Sequence, residues 1–264
     1  MRASLYKMIM CAMAIAAAPR AAPAEPTLDG ARSTAYAGYC RLDMGGRGTG
    51  DESYTGFRYR PRPRSILYAE CRYLDRFEER EARFRGGASS GFAGVWNLAA
   101  ELSIAPGAAI YPRFAGSIEL GRPVARSLAL SGRLNASAYG DAALFGAAVT
   151  SEYYPRGDCA LISRIGVATI DFEGTPASTD GSALVKVIWF VDDRTRVFAY
   201  GASGSESYRI ETIDRAGDIR SDAVGAGAAF FVFPSVAVSP SIEYQKRERG
   251  PRFLQLGLEI SLVR

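Results

Sequence analysis

The sequence predicts an all-β transmembrane protein, an antiparallel up-and-down β-barrel of about 14 strands, on three observations. From Pro251 to Arg264, Leu254, Leu256, Leu258, Ile260 and Leu262 fill one parity, while Gln255, Gly257, Glu259 and Ser261 fill the other. A strand points successive side chains to opposite faces, so this segment has one apolar and one polar face. The same two-residue alternation recurs along most of the chain. An export signal precedes it, and no later apolar run is long enough for a membrane helix. Together these features describe a barrel with apolar side chains toward lipid and polar ones toward the lumen.

The chain opens with the pattern of a Sec signal peptide over residues 1–24. Arg2 and Lys7 give the positive end, Met8 to Ala18 is unbroken apolar sequence, and Ala22-Pro23-Ala24 offers an A-x-A cleavage site. Cys11 lies inside the apolar run behind Met10, a poor context for lipidation. Residues 25–264 form one expected domain, with no linker or charge block dividing them.

Candidate strands follow in order at Ser33–Met44, Glu52–Arg60, Arg64–Asp75, Glu78–Gly87, Val95–Ile104, Arg113–Arg122 and Arg126–Tyr139. They continue at Ala142–Tyr154, Cys159–Phe172, Ser182–Val191, Thr195–Tyr208, Arg220–Phe233, Ser235–Lys246 and Arg252–Val263. Several separate cleanly into two faces. Leu128, Leu130 and Leu134 oppose Ser131, Arg133 and Asn135; Val185, Val187, Trp189 and Val191 oppose Lys186; Val236, Val238 and Ile242 oppose Ser239, Ser241 and Glu243. The first strand and Thr195–Tyr208 are ambiguous.

The connections alternate in character. Pro61–Pro63, Pro123–Ala125, Pro155–Asp158, Asp192–Arg194 and Pro234 are tight breaks. Longer links at Gly45–Asp51, Ala105–Pro112, Glu173–Gly181 and Arg209–Ile219 interleave with them. Short periplasmic turns and longer outside loops are the rule for such barrels. Gly86–Gly94 breaks the pattern, being long for a periplasmic turn, and merging weak early strands gives twelve as the alternative count. Aromatic residues gather near strand ends at Tyr111, Phe114, Tyr153, Tyr154, Phe230, Phe231 and Phe233, as interfacial girdles require. A soluble β-sandwich would also alternate, but its strands are usually nearer five or six residues.

The 32 basic and 28 acidic residues are interspersed, and the net charge of +4 leaves no nucleic-acid footprint. Cys40, Cys71 and Cys159 fall on strands that are not neighbours, so they are expected as unbridged wall residues. The chain has no histidine, which disfavours metal ligation and excludes a Ser–His–Asp arrangement. No cofactor is expected, and no catalytic constellation stands out from the charge lining. Gly45-Gly46-Arg47-Gly48-Thr49-Gly50 reads as a surface loop rather than a nucleotide cradle.

With apolar parity toward lipid, the lumen receives Glu52, Arg58, Arg60, Glu70, Arg72, Glu81, Arg83 and Arg85 from the early strands. Glu101, Glu119, Arg133, Glu152, Arg164, Lys186, Glu206, Glu243 and Glu259 follow round the wall. Cross-strand neighbours stand about 5 Å apart, so this mixture suits ladders of opposite charge. It fits either a lumen knitted shut by ion pairs or a pore whose transverse field orients charged or sugar-like solutes.

Val95-Trp96-Asn97-Leu98, Glu101-Leu102-Ser103, Tyr111-Pro112-Arg113-Phe114 and Glu119-Leu120-Gly121-Arg122-Pro123 resemble the YaiO family of outer-membrane β-barrels. Leu130-Ser131-Gly132-Arg133, Tyr139, Asp141 and Glu152-Tyr153-Tyr154 continue the resemblance, which spans roughly Ala31 to Arg264. It implies an exported barrel in a Gram-negative outer membrane and supplies no catalytic residues. One departure is the ending Leu262-Val263-Arg264, where such barrels usually carry a terminal aromatic residue.

The expected role is a passive or accessory envelope channel, monomeric, for small solutes or an exported polysaccharide. A non-conducting structural or adhesion barrel acting through its outside loops, especially Arg209–Ile219, is the alternative, and a lipid-modifying enzyme ranks third. Expected partners are outer-membrane lipids, lipopolysaccharide and the barrel assembly machinery.

Overall fold

Fourteen antiparallel strands close on themselves in a computed structural model that describes residues 32–43, 48–76, 79–93, 95–140, 142–172, 177–205, 220–247 and 252–264. They are β1 (Ser33–Asp43), β2 (Thr49–Arg62), β3 (Ser65–Arg76), β4 (Glu79–Phe92), β5 (Trp96–Ile104), β6 (Phe114–Ala125) and β7 (Leu128–Ala138). The second half comprises β8 (Ala142–Arg156), β9 (Cys159–Phe172), β10 (Ser178–Asp192), β11 (Thr195–Ser205), β12 (Arg220–Phe233), β13 (Val236–Arg247) and β14 (Arg252–Val263). Each strand pairs with its neighbours in sequence, and β14 closes the cylinder on β1 through Thr34↔Val263 to Asp43↔Leu254. The Ser33 amide donates to the Arg264 carbonyl and the Arg264 amide to that of Ser33, both at 2.9 Å. Every sheet edge is thereby paired, which leaves no free edge for lipid to meet.

The apolar parity is outside. Leu256, Leu134 and Ile165 are 52%, 67% and 71% exposed, and Phe57, Phe84, Leu102, Val149, Trp189 and Phe233 share that face. A soluble sandwich would bury these residues at its centre. The inversion fits an acyl-chain solvent, and it rules out the water-soluble alternative.

The start of β1, the end of β14 and the short turns after β2, β6, β8, β10 and β12 lie at one end of the cylinder, as the antiparallel registers require. Three strand limits differ from the sequence expectation in informative ways. β4 continues to Phe92, so its turn to β5 is short and the apparent anomaly at Gly86–Gly94 disappears. That stretch, Gly86-Gly87-Ala88-Ser89-Ser90-Gly91, has weak strand propensity, but pairing with β3 and β5 on both sides holds it extended. Ala93 in this turn takes φ 46°, a left-handed conformation few residues other than glycine adopt. β6 runs through Pro123, with a register shift before Ala125, and similar shifts adjoin the turns after β2, β8, β10 and β12. Bulges of this kind collect at barrel rims, where they terminate pairing. β10 begins at Ser178 rather than Ser182, because Ser178–Gly181 pair with Val167–Ile170 of β9. Each early strand is separately paired, so the count is fourteen and not twelve.

The expected signal peptide, Glu206, Asp141 and the Arg209–Ile219 link lie outside the described residues.

Candidate functional site

Cross-strand partners share a face, so the registers place every candidate lumen residue that the structure describes. Glu52, Arg58 and Arg60 (β2), Glu70 and Arg72 (β3), and Glu81, Arg83 and Arg85 (β4) lie opposite the exposed apolar parity. So do Glu101 (β5), Glu119 (β6), Arg133 (β7), Glu152 (β8), Arg164 (β9), Lys186 (β10), Glu243 (β13) and Glu259 (β14). Arg58 is exposed to solvent, whereas Glu81, Arg83 and Glu243 are buried.

Three clusters organise the charged wall. Arg72 bridges Glu52 (2.6 Å) and Glu70 (2.5 Å), with its guanidinium 4.8 Å from the centre of the Tyr54 ring. Glu101 takes Arg85 Nη2 at 2.7 Å and Arg133 Nη2 at 3.9 Å, and it also accepts the Tyr68 hydroxyl. Such pairing is what allows several charges to sit inside a narrow cylinder.

Glu81 forms the third cluster by a different route. Its Oε1 accepts the amides of Ala109 (2.5 Å) and Ile110 (2.7 Å), and its Oε2 accepts that of Tyr111 (2.8 Å). These three donors belong to the β5–β6 link, which is therefore drawn inward against the wall. Ala105, Ala108, Ile110 and Tyr111 pack with Leu74 of β3, and the Arg83 guanidinium lies 4.7 Å from the Tyr111 ring centre. Tyr111 is only 1% exposed, so it plugs the interior rather than joining an outer aromatic girdle, while Phe114, Tyr153 and Phe233 do face outward. The sequence showed a long link but not its direction, because the carboxylate that captures it sits about thirty residues earlier.

A further arrangement recurs across single rows of the barrel. Tyr36 of β1 lies over Gly56 of β2, and its hydroxyl donates to Glu70 Oε2 of β3 (3.2 Å). In the reverse direction, Tyr54 lies over Gly38 and donates to Glu259 Oε2 of β14 (3.1 Å). Tyr68 reaches Glu101 over Gly87, and Tyr200 reaches Glu243 over Gly225. In each row a missing Cβ leaves a floor on which the aromatic ring can lie, letting the hydroxyl reach a carboxylate two strands away. The two rings of the reciprocal pair meet edge to face, 6.3 Å between centroids and 61° between planes. A sequence signal exists: Tyr36-Ala37-Gly38 and Tyr54-Thr55-Gly56 repeat a Tyr-x-Gly pattern on adjacent strands.

The inner face is not polar throughout, contrary to the expectation from parity alone. On β9 to β12 it carries Ile162, Ile170, Leu184, Ile188, Phe190, Phe198, Ala223, Ala229 and Phe231. Lys186 stands in this sector with its Nζ 4.5 Å from the Phe198 ring centre, a cation–π contact. No disulfide joins Cys40, Cys71 or Cys159, and all three are half-buried.

Between the charged wall and the inward link lies a cavity of about 250 Å³. Arg83, Arg85, Glu101, Arg133, Asn135, Ser137 and Arg164 are in its wall, with Pro112 of the link at one side.

No protein-family model and no curated protein matches the sequence. Solved structures do match in shape. The chain is similar to the CymD monoaromatic hydrocarbon channel, with a TM-score of 0.60, 6% identity and 89% of each chain covered. It is similar to the Ralstonia pickettii toluene transporter TbuX at a TM-score of 0.59 and 8% identity, covering 88% of this chain and 89% of that one. A bacterial polysaccharide outer-membrane secretin matches at a TM-score of 0.57 and 7% identity, over 92% of this chain and 100% of that one. The fold is that of the outer-membrane β-barrel proteins.

Proposed function

We propose that the chain is an outer-membrane channel, passive or accessory, for small polar solutes, exported by the Sec route and akin to the YaiO family. One observation carries this reading: a closed barrel keeps a charged cavity of about 250 Å³ in its interior, beside a link folded inward. Small-molecule sites usually occupy roughly 300–1,000 Å³, so this space, just under that range, suits only a small solute. An extended polysaccharide chain suits it less, because the Glu81-held link narrows the same end of the lumen. The shape neighbours that act as channels or transporters support the reading at the level of architecture. A catalytic role has little to draw on, since the chain lacks histidine and its interior acids accept from arginine, tyrosine, serine or backbone donors. The kinship with the YaiO family rests on the motifs from Val95 to Tyr154 quoted above. Lipopolysaccharide and the barrel assembly machinery are the partners this reading requires.

Refolded protein in planar lipid bilayers should give discrete single-channel steps. A persistently closed trace, from protein whose folded state is verified by its gel mobility before and after heating, overturns the proposal.

A further inference from the structure

We propose that the cavity beside the β5–β6 link is a binding site for a small oxyanion, a carboxylate- or phosphate-bearing solute, with Arg133 and Arg164 as its principal holders. The proposal deepens the channel reading by naming the solute chemistry, and it rests on that reading for its physiological sense.

Among the described residues, four guanidiniums line the cavity (Arg83, Arg85, Arg133 and Arg164) against one carboxylate, Glu101. That carboxylate is shared: Arg85 holds it at 2.7 Å and Arg133 stands off at 3.9 Å. Arg133 donates instead to Ser117 Oγ at 2.8 Å, a neutral acceptor. Arg164 donates through Nε to Thr150 Oγ1 at 2.9 Å, again a neutral acceptor. Glu119, directly across the strand pair from Arg133, accepts the Ser131 hydroxyl, and Glu152 accepts that of Tyr154; neither forms an ion pair with Arg133 or Arg164 within 4 Å among the described residues. A cavity wall of one predominant sign, set in a low-dielectric cylinder, focuses its field on whatever enters.

Ser137 is 4% exposed and lines the cavity, and its Oγ has no hydrogen-bond partner; the Asn135 Nδ2, also in that wall, has none either. Buried polar atoms are nearly always satisfied, so two unanswered groups in one small chamber point to a missing acceptor. Carboxylate and phosphate oxygens supply several acceptor lone pairs, and the planar guanidinium fork matches their geometry. A neutral sugar would answer Ser137 and Asn135 but not the excess of guanidinium.

The test uses the full refolded barrel in detergent, titrated calorimetrically with succinate, with inorganic phosphate and with uncharged succinamide. Saturable binding of succinate or phosphate, with none of succinamide, is expected; which of the two binds identifies the oxyanion. Arg164→Gln should weaken that binding by about tenfold or more, Ser137→Ala by a few-fold, and the rim variant Arg80→Gln not at all. Equal binding of succinamide, no binding of either anion, or unchanged affinity in folded Arg164→Gln each overturns the site. Bilayer recordings separate the two proposals. Anion binding with a closed trace defeats the channel and keeps the site, whereas open steps without binding do the reverse.

Discussion

The two halves of the inner wall are built on different principles. From β2 to β7 the interior is charged, and its bridges Arg72–Glu52, Arg72–Glu70, Arg85–Glu101 and Arg133–Glu101 all fall there. From β9 to β12 the inner face is mostly small or apolar, with charged exceptions such as Arg164 and Lys186 and with Phe198 and Tyr200 lying over Gly227 and Gly225. The charged half also holds the inward link, through Glu81 and Arg83. Closing a cylinder does not need one kind of interior, then. Ion pairs can brace one side while ring-on-glycine packing fills the other, and the solute-sized space opens where the charged side has more cations than anions.

The sharpest way to break this comparison is Glu81→Ala. It removes the acceptor of three backbone amides, and hydrogen bonds to charged groups are worth about 1.5–3 kcal/mol each. The link should leave the lumen, raising single-channel conductance several-fold, while the strand ladder stays intact by circular dichroism. Unaltered conductance would show that the link does not obstruct the path.

Next in size is Gly225→Ala on the apolar side. A Cβ there would stand 2.4 Å from the Tyr200 Cζ, and overpacking of this kind costs about 1–3 kcal/mol. Urea unfolding in lipid vesicles, followed through Trp96 and Trp189, should show the loss. Adding Tyr200→Ala should make the pair markedly non-additive, and strict additivity would mean the ring does not rest on the glycine.

The smallest effect belongs to the hydroxyls. Tyr54→Phe keeps the ring over Gly38 and loses only the bond to Glu259, about 1 kcal/mol in the same unfolding measurement. Phe198→Tyr, in a row that ends at Ser241 rather than a carboxylate, should change stability by less. Equal losses and gains in the two rows would remove the distinction drawn between them.

Much of the wall was legible in the sequence because lipid imposes a simple rule on one parity. Leu254, Leu256 and Leu258 could face only outward, and strand length and turn chemistry then set the count. The inner parity obeys no such rule. Leu184, Ile188 and Phe198 face inward because neighbouring side chains and glycines receive them, a matter of register that alternation does not report. The capture of Ala109–Tyr111 by Glu81 depends on a long-range contact, so the position of Tyr111 near a strand end points to a girdle it does not join. The run of small residues after Gly87 carries little strand signal of its own, and pairing on both sides extends β4 through it.

The row Tyr54–Gly38–Glu259 passes over the seam where the last strand meets the first. Its donor comes from the second strand and its acceptor from the fourteenth, so β1 lies beneath a clasp made by its two neighbours. Slipping β14 by one residue would turn Glu259 into the acyl chains and leave the Tyr54 hydroxyl without its carboxylate. The clasp can fasten only when the cylinder has shut in the right register, so its energy counts toward correct closure and not toward a slipped one.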